Sequence, residues 1–525
     1  MPSRHVRRDR RGAFANVTGM HEHPIRVTTA GGVVEGFTQD GVNRWRSIPY
    51  ARPPVGPLRF RAPEPVQPWT GVLPCHSFGN CSHQARRYTM TGVGKYQPMS
   101  EDCLTLNVVT PRWRGPAPDH EPLPVMFFIH GGGYILGSSA TPLYDGATLA
   151  RRGCVYVSVN YRLGALGCLD LSSLSTRDIT IENNLFLRDL VAALRWVREN
   201  IGTFGGDPDN VTIFGESAGA HAVATLLAVP DAKGLFAQAI AESPASGMVG
   251  DPDVAAEFAC RFVDVLGADR NNAAAAVLRA RPADLVRAMD TVMTTSLDSM
   301  MGAAPVGPTS GNDFLPLDPF EAMKEGTAHR IPLIVGTNAD EGRLFTRFMK
   351  LLPTTEHAIE RFLAHTSPEV RERVLAAYPH YPHPDACVQF GGDMIFNTAA
   401  WQMAEAHAKL APTYVYRYDF APRTLHWTGF GATHATELLA VFGIYRSRVG
   451  AVLTGGVDQK VAVKVSHQVQ TRWNEFAHTG VPGDDWPVYN HEERPVLVFD
   501  RHTHVEYDPH PHRRQAWVGF SLADR

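Results

Sequence analysis

The fold is decided by residues 211–220, V-T-I-F-G-E-S-A-G-A. The apolar run 211–214 predicts a short buried strand, and the small residues of 220–229 predict a helix. Between them, the G-x-S-x-G pattern of 215–219 predicts a sharp turn with Ser217 at its apex. Residues without bulk on either side let the strand and the helix approach closely, and a helix N-terminus favours negative charge at Ser217. The sequence therefore predicts that Ser217 is a nucleophile.

Length and composition indicate an ordinary globular protein. The 525 residues are 44% hydrophobic and 20% charged, and the net charge of −3 gives no electrostatic reason to expect a nucleic-acid partner. No apolar run is long enough for a transmembrane helix. Residues 1–11 carry five arginines but lead into no apolar segment, so we expect 1–21 to be a disordered basic leader rather than a secretory signal. We expect 22–518 to form one domain and the protein to be cytoplasmic, with secretion by another route left open.

Apolar runs alternate with helical patterns along most of the chain. This alternation predicts an α/β fold, with a large, mostly parallel central sheet and helices on both faces. An alanine-rich stretch, 252–300, predicts a helical insertion. The amphipathic pattern of 182–200 predicts the helix before the central strand. The predicted strands, besides three short runs within 25–49, are 104–110, 124–130, 154–160, 211–214, 236–242, 332–337 and 413–418.

A serine hydroxyl becomes a good nucleophile only when a base takes its proton. After a nucleophile of this type the acid comes next in the chain, and then the histidine. His434 fits, because it lies in a small-residue loop after the predicted strand 413–418. Asp340 and Glu341 follow the predicted strand 332–337, at the sheet edge where the nucleophile lies. Position alone does not choose between them, but Asp340 suits a helix N-cap, so we assign Glu341 to orient His434.

A glycine loop supplies the remaining expected component. H-G-G-G at 130–133 ends a predicted strand, and backbone N–H groups there can stabilise a developing oxyanion. Gly132 and Gly133, together with the N–H of Ala218, form the predicted oxyanion hole. The remaining histidine clusters lack metal-ligand spacing, and no phosphate loop or dinucleotide motif is present. We therefore expect no metal and no cofactor.

Further motifs occur in a fixed order from about residue 26 to residue 505. The chain resembles the type-B carboxylesterase/lipase family, which includes para-nitrobenzyl esterases and cholinesterases. The motifs are S-E-D-C-L at 100–104, H-G-G-G-Y at 130–134, N-Y-R at 160–162, F-G-G-D-P at 204–208, G-E-S-A-G at 215–219, D-E-G at 340–342 and His434.

The resemblance implies an α/β-hydrolase fold and a triad of Ser217, Glu341 and His434. It also implies that Glu216 and Ser243 lie beside the triad. A further implication is a disulfide between Cys81 and Cys103, which a reducing compartment would keep open.

We expect a serine carboxylic ester hydrolase that acts through an acyl-enzyme on small to medium uncharged esters. The expected partner is this small-molecule ester substrate and not a nucleic acid, and the sequence leaves the oligomeric state open. One alternative is an inactive binding or adhesion module on the same scaffold, which would be expected to lack the serine. Another is a lipase for long-chain lipids, whose mobile lid would need an apolar face. Arg86, Arg87 and Lys95 make the segment 81–103 charged instead.

Overall fold

The computed structural model describes residues 22–92, 94–112, 121–299, 304–348, 352–364 and 366–520. The expected leader, 1–21, lies outside these residues, and the single domain 22–518 stays a prediction. Within the described residues, thirteen strands form one sheet, and two short strands pair separately. Strands β1 to β15 are, in chain order, Glu22–Thr29, Gly32–Gln39, Val42–Pro49, Val72–Pro74, Met90–Gly92, Lys95–Tyr96, Thr105–Pro111, Leu123–Ile129, Val155–Val159, Gly206–Glu216, Gln238–Glu242, Leu333–Asn338, Thr413–Tyr418, Pro495–Phe499 and His504–Tyr507.

The helices lie mainly between the strands of the parallel part. A π-helical turn, Asp393–Asn397, separates α10 from α11. The α-helices α1 to α16 are Ala147–Ala150, Leu185–Asn200, Ala218–Leu226, Pro252–Leu266, Ala273–Arg279, Pro282–Ser299, Pro319–Glu325, Glu356–Leu363, Pro368–Ala376, Pro384–Gly392, Thr398–His407, Arg423–Trp427, Leu438–Val441, Arg448–Leu453, Gln459–Thr479 and Pro511–Ala516.

The centre of the sheet is parallel, and its margins are antiparallel except for the short strand β4, which runs parallel to β2. The strand order is β1-β2-β3-β7-β9-β8-β10-β11-β12-β13-β14-β15, and β4 pairs with β2. Neighbouring strands from β9 to β14 run parallel, whereas β1–β2, β2–β3, β3–β7, β7–β9 and β14–β15 pair antiparallel. The expected α/β class is confirmed.

Both faces of the sheet are covered, as the near-continuous apolar strands predict. Successive residues of β8 show this, because side chains alternate between faces. Phe127 and Ile129 belong to a core shared with α2, α3 and the α4–α6 insertion, whereas Met126 and Phe128 belong to a core shared with α13 and α15. None of the described helices is both long and apolar enough to cross a membrane.

The register of the parallel strands brings their carboxyl ends together. Gly215 of β10 pairs with Ile129 of β8 on one side and with Ala241 of β11 on the other. Ala241 in turn pairs with Val335 of β12. The loops that follow these four residues therefore leave the sheet at one edge.

The two boundaries beside the serine turn differ from the predictions. The helix after the turn begins at Ala218 rather than at residue 220, since the turn is a single residue long. The strand before it spans Gly206–Glu216, because Gly206 also pairs with Leu123 of β8, ahead of a register shift and outside the apolar run.

Candidate active site

Ser217 forms the one-residue turn between β10 and α3. Its backbone lies at φ 59° and ψ −124°, a strained conformation of the kind that clusters at functional sites. The flanking glycines make the turn possible, because a Cβ on Gly215 or Gly219 would lie 2.6 or 2.1 Å from the carbonyl oxygen of Ile129. The Ser217 N–H donates to the carbonyl of Glu242 at 2.9 Å. The turn therefore holds a partly exposed hydroxyl at the carboxyl edge of the sheet.

His434 and Glu341 are in direct contact at this edge. Nδ1 of His434 lies 2.6 Å from Oε2 of Glu341, a short, charge-assisted hydrogen bond. The other oxygen, Oε1, accepts from the Ser243 hydroxyl at 2.6 Å and from the Asn338 N–H at 2.7 Å. The imidazole and the carboxylate are both buried. The structure thus brings together three residues that the sequence singled out, and these bonds fix the orientation of the imidazole.

Asp340 binds the loop that carries His434 and does not contact the imidazole itself. Its carboxylate accepts from Nε of Arg343 at 2.8 Å and from the Ala432 N–H at 3.2 Å. Its own N–H donates to the carbonyl of Ala432 at 2.9 Å. Asp340 occupies the N-cap position of the 3₁₀ turn Glu341–Thr346 but makes no capping bond. The expected side-chain cap is therefore wrong, because the carboxylate binds the histidine loop instead.

The second ring nitrogen of His434 faces the carboxylate of Glu216. Nε2 lies 3.0 Å from Oε1 of Glu216, so the two groups form an ion pair when the imidazole is protonated. Among the described residues no hydrogen bond joins Nε2 to the Ser217 hydroxyl, although Ser217 follows Glu216 directly in the chain. Catalytic hydrogen bonds are often long without substrate and shorten when it binds.

Two carboxylates control the charge of His434. Burial alone would lower its pKa, but Glu216 and Glu341 outweigh burial and raise the pKa well above its usual value. The imidazole can accept a proton only after it has lost its own. The fraction of imidazole able to act as a base therefore increases with pH.

Two aromatic rings pack against His434. Phe396 stacks on the imidazole with the ring centroids 4.2 Å apart, and Phe345 lies at 5.2 Å. Phe396 belongs to the π-helical turn Asp393–Asn397, a rare element that often occurs at functional sites. These ring contacts restrict the movement of the imidazole.

The glycine loop lies against the serine turn. A Cβ on Gly131 would lie 2.5 Å from the carbonyl oxygen of Glu216, so only a glycine permits this approach. Gly132 and Gly133 have φ of 113° and 58°, and Gly133 borders open space. Ala218 is the first residue of α3, where backbone N–H groups lack partners within the helix. That the N–H groups of Gly132, Gly133 and Ala218 form an oxyanion hole stays a prediction.

A buried carboxyl cluster beneath the triad was missed in the sequence. Glu242 and Glu437 are both buried. Burial, reinforced by Glu216, raises the pKa of Glu242 to about 8. Burial and the neighbouring carboxylates raise the pKa of Glu437 well above its usual value. Nδ2 of Asn338 donates to Oε2 of Glu437 at 2.5 Å. The raised pKa values favour the protonated form of both groups, which limits the negative charge beside the imidazole.

Cys81 and Cys103 are free, buried thiols in the structure, so the implied disulfide is not formed there. Burial raises the pKa of the Cys81 thiol to about 11 and that of Cys103 further. The thiol of Cys81 lies 3.7 Å from the carbonyl oxygen of Pro98. Both sulfurs therefore stay protonated and unreactive at neutral pH.

Metal ligation finds no support in the described ranges. No group of three or more His, Cys, Asp or Glu side chains there is placed to hold a metal ion. The protein groups at this edge are instead a hydroxyl, an imidazole, carboxylates and backbone N–H groups, which suit acyl transfer through a covalent intermediate.

Comparison with known proteins also indicates an esterase. Residues 23–517 match the model of the carboxylesterase family. The para-nitrobenzyl esterase of Bacillus subtilis is 39% identical, and the match covers 93% of this chain and 97% of that protein. The fumonisin B1 esterase of Sphingopyxis macrogoltabida is 34% identical, over 88% of this chain and 84% of that protein.

Solved structures agree as well. A PNB esterase superposes with a TM-score of 0.83 at 36% identity, covering 94% of this chain and 99% of that one. PNB esterases have the α/β-hydrolase fold, which confirms the expected fold. The chain is therefore a member of the carboxylesterase family, a serine ester hydrolase.

Proposed function

We propose that Ser217, His434 and Glu341 hydrolyse small to medium uncharged carboxylic esters through an acyl-enzyme. The observation that carries this proposal is the imidazole of His434. One ring nitrogen is held at 2.6 Å by Glu341, and the other lies 3.0 Å from Oε1 of Glu216, the residue directly before Ser217. An imidazole held in this way can accept a proton from the hydroxyl and return it to a leaving group.

The steps follow from the positions of these groups. Nε2 of His434 takes the Ser217 proton while the hydroxyl oxygen attacks the ester carbonyl. The resulting oxyanion is stabilised by N–H groups of Gly132, Gly133 and Ala218. Collapse of the intermediate expels the alcohol, which takes the proton from Nε2. Water then attacks the acyl-enzyme with the same imidazole as base, and the acid leaves.

The neighbourhood of the imidazole supports uncharged acyl groups. A small apolar cluster is formed by the buried side chains of Ala245, Phe345 and Phe396, against which other, partly buried apolar side chains pack. Both phenyl rings contact His434. An ester whose acyl chain lies against such a surface gains about 25 cal/mol for each Å² of apolar area removed from water. A charged group at the same surface would lose hydration without a partner.

The lipase alternative finds less support. Arg86, Arg87 and Lys95 are exposed in the segment between Cys81 and Cys103, so this segment presents charge where a lid would need an apolar face. A binding module without catalysis is excluded by the family activity, which is serine ester hydrolysis.

Turnover of p-nitrophenyl esters from acetate to palmitate tests the proposal. Ser217→Ala should abolish hydrolysis at every chain length and leave the fold intact, whereas Ser173→Ala, which alters an exposed serine, should change nothing. The wild type should be fastest on short and medium acyl chains. Unchanged turnover in Ser217→Ala would overturn the nucleophile, and a maximum at palmitate with a jump at the lipid–water interface would favour a lipase.

The cytoplasmic location also stays a proposal. All seven cysteines are free thiols, and six of them are buried, which suits a reducing compartment. Fractionation of cells that express the full chain tests this location, and activity recovered mainly outside the cytoplasm would contradict it.

A further inference from the structure

A cavity lined by Arg44 and Arg46 lies apart from the catalytic groups. Its volume is about 450 Å³, within the range of small-molecule sites. Strand β3 forms one wall, residues 139–146 form another, and part of the segment between Cys81 and Cys103 forms the rim. Ser217, Glu341 and His434 do not line it.

The charged side chains that line this cavity are two arginines and one aspartate. Arg44 and Asp145 form a bidentate pair, with N···O distances of 3.0 and 3.1 Å. Arg44 is only 4% exposed, and its Nε is buried without a hydrogen-bond partner. The lining therefore has a formal charge of +1, together with an unsatisfied buried donor.

Arg46 has no carboxylate in direct contact within the described part of the chain, although the nearby Asp145 acts to raise its pKa. Its guanidinium lies 4.3 Å from the ring centre of Phe78 and 4.9 Å from that of Phe37. Its printed hydrogen bond is a long one, 3.4 Å, to the carbonyl oxygen of His76, and no ion pair to it occurs among the described residues. Burial and the neighbouring Arg44 lower the pKa of Arg46 to about 10, so the side chain remains charged at neutral pH.

The rest of the lining suits a flat organic group. The rings of Phe78, Tyr96, Tyr144 and Tyr156 contribute aromatic surface. Polar groups are concentrated at Asn107, whose Nδ2 donates to the hydroxyls of Ser139 and Ser158 at 2.9 and 3.1 Å. Aromatic walls with a few convergent polar groups are typical of sites that bind small organic molecules.

We propose that this cavity binds an organic monocarboxylate whose body is aromatic. The carboxylate pairs with Arg46, whose planar fork matches two carboxylate oxygens, and the aromatic body lies against the rings. Acids of this class are also products of the proposed ester hydrolysis. That link to product binding rests on the proposed function, whereas the binding itself does not.

Calorimetric titration of benzoate into the full-length Ser217→Ala variant tests the proposal. We expect saturable binding, at least tenfold weaker binding of neutral benzamide, and at least a tenfold loss of benzoate affinity in Arg46→Gln. Arg195→Gln, made at an exposed arginine that pairs with Asp231, should bind benzoate as tightly as its parent. Equal binding of benzoate and benzamide, or no effect of Arg46→Gln, would overturn the proposal.

Photolabelling provides a readout that does not depend on how the variants fold. Wild-type protein irradiated with 4-benzoylbenzoate should be modified on peptides that contain residues 44–46 or 139–146. Modification confined to the peptide of Ser217 would overturn the proposal. Hydrolysis of p-nitrophenyl acetate, measured on the same preparation, distinguishes a failure of the proposed function from a failure of this site.

Discussion

Replacing Gly219 by alanine should damage both stability and catalysis, although alanine is the better helix former. Gly219 is the second residue of α3. A Cβ there would lie 2.1 Å from the carbonyl oxygen of Ile129 and 3.0 Å from the carbonyl carbon of His130. The first distance is about 1.3 Å shorter than an ordinary contact of about 3.4 Å. The atoms that it meets are backbone atoms, so no side chain can rotate away to relieve the overlap.

The magnitudes decide which effect dominates. An alanine in a helix is favoured over glycine by about 1 kcal/mol, whereas overpacking a core costs about 1–3 kcal/mol. A clash with two backbone atoms falls at the upper end, which leaves a net loss of about 2 kcal/mol. Relief of the overlap must also move the turn by roughly 1 Å, and a displacement of that size at a catalytic group costs about 10²-fold in rate.

The matched control is Gly202→Ala, since a Cβ on Gly202 meets nothing within 4 Å. Denaturant midpoints and kcat/KM for p-nitrophenyl acetate, measured on both variants, compare the two positions. We expect Gly202→Ala to match the wild type and Gly219→Ala to lose both quantities. If Gly219→Ala were as stable and as active as Gly202→Ala, the close approach of the helix to β8 would not be what the turn requires.

Three further predictions concern the carboxyl groups. Glu341→Gln should lower kcat for p-nitrophenyl acetate by a factor of about 10³ or more, since a wrongly held imidazole is a poor base. Asp340→Asn should lower kcat far less, and the opposite ranking would show that the acid is Asp340. Glu216→Gln removes one of the two carboxylates that raise the pKa of His434, so the ascending limb of the kcat/KM–pH profile should move to lower pH. An unchanged limb would show that Glu216 does not raise the pKa of His434. Glu242 loses its proton near pH 4.5 in the unfolded chain and near pH 8 in the folded protein, so the free energy of unfolding of the wild type should fall between these pH values by up to about 1.4 kcal/mol per pH unit. In Glu242→Gln the denaturant midpoint should depend less on pH over this range. An unchanged pH dependence would mean that Glu242 is not the group responsible.

The sheet and the position of the nucleophile were predictable because their signals are local. Apolar runs that end in glycines mark strands and the turns that follow them, and G-x-S-x-G needs only five consecutive residues to specify a strained turn. Even the choice of Glu341 agrees with the contact to His434. The reason offered for it was partly wrong, because the Asp340 side chain holds the histidine loop and caps nothing.

Features that depend on the meeting of distant elements were not predictable. Glu242 and Glu437 lie far apart in the chain and become neighbours only through the strand order. Glu242 ends an apolar strand next to the strand of the nucleophile, and a carboxyl group in that position is the signal that could have identified it. The sequence gives no sign of the unsatisfied Nε of Arg44 at the cavity lined by Arg44 and Arg46, because this atom's surroundings depend on how three separate segments pack.

The most direct test of the account is the mass of the protein after reaction with an organophosphonate. The account predicts one adduct per chain, on the peptide that contains Ser217, formed faster as the pH rises through the pKa of His434 and absent from Ser217→Ala. An adduct on a different peptide, or equal labelling of Ser217→Ala, would show that Ser217 is not the nucleophile.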